Sequence, residues 1–127
     1  MKYIKLVFIL IIILSSYQSK AQNLQLTESS EALILGTWID DDDPTYKLVF
    51  FSNAICKEYQ NNELIATYEY DVKYNSCEDF MATSVVYLYW RDLENQQQVC
   101  FEISNITNEV LSLMIIDRAK MVLFNKV

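Results

Sequence analysis

The chain has 127 residues, with 17 acidic against 10 basic side chains for a formal net charge of −7; it holds no histidine, one glycine, one proline and three cysteines. Without histidine there is no Ser/His/Asp or Cys/His nucleophilic constellation and no histidine-bearing zinc site, and a single glycine cannot build a phosphate-cradling loop. The acidic balance repels phosphate backbones and anionic lipid, which argues against nucleic acid or a membrane surface as a partner.

Residues 1–21 read as a signal peptide: MKYIK is a basic n-region, LVFILIIIL an apolar core, and SSYQSKA a polar stretch ending in a small residue. A membrane-spanning helix needs about 20 apolar residues, so the expectation is cleavage between Ala21 and Gln22 and no membrane insertion afterwards. Because the first cysteine is Cys56, no lipid anchor is expected, and the product is periplasmic or secreted. Removing residues 1–21 from 127 leaves 106 residues, the size of one domain. Lys2, Lys5 and Lys20 leave with the signal, which makes the mature chain more acidic still.

Residues 22–32 are largely polar and read as a loose N-terminal arm or a helical turn, and 33–127 as the domain proper. From Leu33 the pattern changes to short segments rich in Val, Ile, Tyr, Phe and Thr, separated by Asn, Asp and Ser clusters. Eight strands are expected, over 34–39, 45–52, 54–60, 63–74, 83–91, 97–104, 109–116 and 119–126. The clearest is ELIATYEYDVKY, where Leu64, Ala66, Tyr68, Tyr70 and Val72 alternate with Ile65, Thr67, Glu69, Asp71 and Lys73. That period of two marks a strand with one face on a core and one in water. The connections are short and polar, with no room for crossover helices, so the strands form an antiparallel meander. Closure into a barrel hides both edges of such a sheet, and a two-sheet sandwich satisfies the same alternation.

Gly36-Thr37-Trp38 resembles the G-x-W signature that opens the first strand of lipocalins. With the alternation of TYKLVFF, the YEYDV strand and the closing AKMVLFNK, residues 33–126 look like the small exported lipocalin-like domains of Gram-negative bacteria. The resemblance implies an all-β, eight-stranded, up-and-down barrel. In the family the Trp closes one end and a basic residue near the last strand packs over its ring. Carried onto this chain, Gly36 and Trp38 take the first role, and Arg118 or else Lys120 the second. The chain is shorter than classical lipocalins, lacks their T-D-Y loop motif and shows no C-terminal helix.

Candidate interior residues are Tyr68, Tyr70, Tyr87, Tyr89, Trp90 and Phe101, an apolar wall with a few hydroxyls of the kind small-molecule sites use. Among the three cysteines, Cys77 and Cys100 flank one strand and a turn while Cys56 sits mid-strand, so the expected disulfide is 77–100 with Cys56 left as a buried thiol. Asp40 to Asp43 lack the alternate spacing and glycine of recognised calcium loops and read as a solvated loop, with weak cation binding as the alternative. Glu69 and Asp71 share a strand face that reads as solvent-exposed, not as a catalytic pair. The expectation is a non-enzymatic protein, without cofactor or metal, that takes a small apolar or aromatic ligand in its barrel. The alternative is a filled-core module working through its surface with a protein partner.

Overall fold

A computed structural model describes residues 30–127, of which Leu33–Val127 form one unit. The signal-peptide expectation, and most of the N-terminal arm, lie outside the described residues; residues 30–33 make one helical turn.

Eight strands follow in order: β1 (Gly36–Asp40), β2 (Tyr46–Phe50), β3 (Ile55–Gln60), β4 (Glu63–Cys77), β5 (Phe80–Asp92), β6 (Gln98–Ile106), β7 (Val110–Ile115) and β8 (Lys120–Lys126). Each pairs antiparallel with the next, and β8 returns to β1 through Trp38↔Lys126, Ile39↔Asn125 and Asp40↔Phe124. The sheet is therefore a closed up-and-down barrel, as expected, and neither edge is left unpaired. Local chemistry sets several of the corners. Asn61 and Asn62 join β3 to β4 with φ of 51° and 64°, the pair of left-handed residues that a two-residue type I′ hairpin requires and that asparagine tolerates well.

Alternation puts Trp38, Leu48, Phe50, Cys56, Tyr68, Val72, Leu88, Trp90, Phe101, Leu111, Leu113 and Phe124 in one interior cluster. Lys47, Lys57, Glu69, Asp71, Arg91 and Glu102 lie on the opposite face of their strands. An apolar lumen inside a charged exterior is the reverse of a membrane-spanning barrel, whose outer band is apolar and whose lumen is polar.

β4 and β5 run further than the sequence suggests, pairing as far as Cys77↔Phe80. The register shifts between Tyr74 and Ser76, and Asn75 and Ser84 both take left-handed conformations with φ of 65° and 63°. The Ser84 amide donates to Asn75 Oδ1 at 2.7 Å, tying the two kinks together. Bulges of this sort bend a ribbon, and here the hairpin tip folds back over the outside of the barrel. There Cys77 meets Cys100 in a disulfide, Cα to Cα 6.1 Å, and the two pack with Tyr87, Phe80, Val85, Tyr89 and Ile116 as a small second core.

Candidate functional site

The strand ends define two rims. One carries the chain entry at Leu33–Leu35 and the β2–β3 and β6–β7 connections; the other carries the β1–β2 loop (41–45), the β3–β4 turn, the β5–β6 loop and the 3-10 turn Ile116–Arg118.

The entry rim is closed. Gly36 sits at φ 116°, where an L side chain is strained, and this turn lets the preceding segment cross the barrel end so that Ile34 is 0% exposed. Trp38, also 0% exposed, donates its indole N–H to the Ile34 carbonyl at 2.8 Å. Lys126 places Nζ 5.1 Å from the Trp38 ring centroid and donates to the Leu33 carbonyl at 3.1 Å. Gly36 and Trp38 thus stand at the barrel end, but the basic partner is Lys126, neither Arg118 nor Lys120. The antiparallel β1–β8 pairing sets Trp38 directly beside Lys126, whereas Arg118 precedes β8 and belongs to the opposite rim.

The interior toward that opposite rim is not filled. A cavity of about 360 Å³ is lined by Leu48, Trp90, Phe101, Leu113, Ile115, Val122 and Phe124, with Tyr46, Asp40 and Asp43 contributing the polar atoms. Tyr68, Trp90 and Phe101, on three successive strands, make an aromatic wall. Tyr68 stacks on Trp90 with centroids 4.1 Å apart and planes at 7°, and Phe101 meets Trp90 edge-on at 4.6 Å. The edge-on contact is a preferred aromatic geometry. Beside this wall, Glu58 points inward from β3 and accepts hydrogen bonds from both the Tyr46 and the Tyr68 hydroxyls. Among the described residues no buried side-chain nitrogen or oxygen lacks a partner, as interior polar groups require.

This cluster fixes its own protonation. Burial first, then the hydrogen bond to Glu58 and its charge, push the Tyr46 phenol far above its ordinary 10.0; burial and Glu58 raise Tyr68 likewise. Burial holds Tyr70 up at about 12. Cys56, 0% exposed, is raised well above 9.0 by burial and then by the Glu58 charge, which makes its thiol unreactive.

Of the six candidate interior residues, Trp90 and Phe101 line the cavity and Tyr68 backs the wall. Tyr70 faces inward but lies elsewhere, edge-on to Phe50 and donating to the Phe51 carbonyl at 2.7 Å. Tyr87 and Tyr89 are on the outer face: Tyr89 pairs with Cys100, Tyr87 belongs to the disulfide core, and Lys73 Nζ sits 4.3 Å over the Tyr89 ring. Successive residues in Tyr87-Leu88-Tyr89-Trp90 must face opposite ways, so the alternation itself separates these tyrosines from Trp90. Sequence reasoning missed Tyr46, Leu48, Glu58, Leu113 and Phe124. The same alternation in YKLVF and ICKEYQ marks Tyr46 and Leu48 as inward and sets Glu58 on the same face as buried Cys56.

Asp40 closes β1 and Asp41 to Asp43 form the loop. Asp40 Oδ1 accepts the Asp42 amide at 2.8 Å, Asp43 Oδ1 accepts the Thr45 amide and hydroxyl, and Asp41 Oδ1 accepts from Asn125 at 2.8 Å. Among the described residues no group of three or more Cys, Asp or Glu side chains is arranged to hold a metal ion. Glu69 is exposed and pairs with Arg91 at 2.6 Å. In comparisons with known proteins, no family model, curated protein or solved structure matches the chain.

Proposed function

We propose that the chain is an exported, non-enzymatic, lipocalin-like binding protein that takes one small apolar or aromatic ligand in the mouth-side cavity. The carrying observation is the contrast within one lumen: one rim is plugged by Ile34 and Trp38, while the other opens into about 360 Å³ walled by Trp90, Phe101, Leu113 and Phe124. Eight-stranded barrels are just wide enough to be filled by side chains or to hold one small ligand, and the volume and apolar wall match small-molecule sites. The Gly36-Thr37-Trp38 opening and the basic residue over Trp38 support the lipocalin-like reading, and the Cys77–Cys100 bond fits an oxidising, extracytoplasmic compartment. The filled-core alternative draws on the entry end, where Ile34 and Trp38 are fully buried.

Native mass spectrometry of the chain recovered from its own exported fraction tests this reading. A bound mass of small-molecule size, lost on denaturation, supports it. A bare polypeptide that also fails to take up apolar probes would shift the assignment to a surface-acting module.

A further inference from the structure

The ligand class can be narrowed from the charges on the cavity wall, an argument that rests on the binding reading above. Among the lining residues the two charged side chains are both acidic, Asp40 and Asp43, and both stand at the open rim. The Asp40 carboxylate is only partly engaged by the chain: its Oδ1 accepts the Asp42 and Asp43 amides, and no hydrogen bond reaches its Oδ2 from the described residues, whereas Asp43 accepts from Thr45 at Oδ1 and from Gln60 at Oδ2. Asp43 is held below the usual carboxylate range by the Thr45 hydroxyl and amide, so it is ionised at neutral pH. Arg118 and Lys120 at the same rim, and Lys47 beside the β1–β2 loop, neither line the cavity nor pair with these aspartates; the ion pairs among the described residues are Lys73–Glu78 and Arg91–Glu69.

Deeper in, the same polarity holds. Tyr46 lines the cavity and the proton of its hydroxyl is committed to Glu58, so the oxygen has only lone pairs left to offer. Glu58 adds a third negative charge behind that hydroxyl. The one side-chain donor among the lining residues is the indole N–H of Trp90. An anionic head group would meet like charge at the mouth and acceptors within, an unfavourable pairing that salt at the open rim would weaken. A cation meets carboxylates, and the faces of Trp90 and Phe101 add attraction of the same sign.

We infer that the cavity selects small apolar cations, an aryl or alkyl amine whose hydrophobic body lies against Trp90, Phe101, Leu113 and Phe124 and whose ammonium sits at the rim between Asp40 and Asp43. Fatty acids and other apolar carboxylates are rejected.

The test is calorimetric titration of the mature chain with three matched probes, 2-naphthylethylamine, the corresponding alcohol and the corresponding carboxylate, at low salt and neutral pH. The amine should bind at least tenfold tighter than the alcohol, and the carboxylate more weakly than either. In the double variant Asp40→Asn/Asp43→Asn, which keeps the carbonyl oxygens that accept the loop amides, the amine-over-alcohol ratio should fall several-fold. An alcohol or carboxylate that binds as tightly as the amine would overturn the charge selection while leaving ligand binding intact. So would an amine preference of undiminished size in the double variant. Failure of all three probes to bind overturns the ligand-binding reading and this inference together.

Discussion

The two ends of the barrel are built from the same eight strands with the same inward alternation, yet one is sealed and the other holds a cavity. At the sealed end the chain brings in a residue from outside the strand set: Ile34, carried across by the turn at Gly36, sits under Trp38, and Lys126 covers the indole. At the open end none of the described residues crosses; the loop aspartates spend their hydrogen bonds within the loop and on Gln60 and Asn125 at the rim. Strand alternation therefore supplies an apolar lumen at both ends, and the covering segment decides which part becomes core and which becomes pocket. Stability should concentrate at the sealed end and recognition at the open one.

That division can be broken in several ways. Trp38→Ala should lower unfolding stability by about 3–5 kcal/mol, the range for removing a large buried aromatic, read as a drop in the urea midpoint; Leu113→Ala on the cavity wall should cost less, because its site already opens to volume. Loss of that ordering would overturn the asymmetry. Replacing Cys77 and Cys100 together by Ser should cost about 3 kcal/mol for a loop of this length, with the cavity still able to bind a probe, since the disulfide lies on the outer face. Gly36→Ala should cost about 1–3 kcal/mol, because the backbone is at φ 116° and the new methyl would lie 3.1 Å from Lys126 Cε. Lys126→Met, which keeps the stem and removes the charge, should cost about 0.5–2 kcal/mol, whereas Arg118→Met should stay within about 0.5 kcal/mol. Equal effects of the two substitutions would return Arg118 to the capping role.

The interior titrating groups sharpen the comparison through pH. Tyr46, Tyr68, Tyr70 and Cys56 all have raised values in the folded state, so the folded chain keeps protons that the unfolded chain releases. Their contribution is complete below the ordinary values of 9.0 for the thiol and 10.0 for the phenols and is lost as pH rises beyond them. Stability should be insensitive to these groups up to about pH 9 and fall above it. Absorbance at 295 nm should show the interior phenols ionising only together with unfolding; early ionisation of all the tyrosines from Tyr46 to Tyr89 would contradict the Glu58 cluster.

The strands, their order and the disulfide were legible because each depends on local pattern: a period of two, polar turn pairs, and cysteine positions relative to strand centres. Closure is the arrangement that hides both edges of such a meander completely, but the alternation alone does not separate it from a two-sheet sandwich. The site was less legible. The cavity wall combines residues from β1, β2, β5, β6, β7 and β8, and no local pattern says which inward residues touch one another and which leave a gap. Tyr87 and Tyr89 read as interior on aromatic content alone; parity with inward Leu88 and Trp90 sets them outside, where their burial needs the hairpin tip to fold back, which depends on left-handed Asn75 and Ser84. Arg118 or Lys120 as the capping base, where the structure has Lys126, follows from the family resemblance, which does not specify how far along β8 the basic residue lies.

The placement of the three cysteines has a consequence for how the chain matures. Cys56 faces the lumen and becomes inaccessible when the barrel closes, while Cys77 and Cys100 share the outer surface. Two of the three pairings open to the unfolded chain use Cys56, and each holds that thiol out of the core. Oxidation after closure therefore yields one product, whereas an oxidant acting on the extended chain also reaches the two pairings that use Cys56. The closed barrel is itself the proofreading step for its own cross-link.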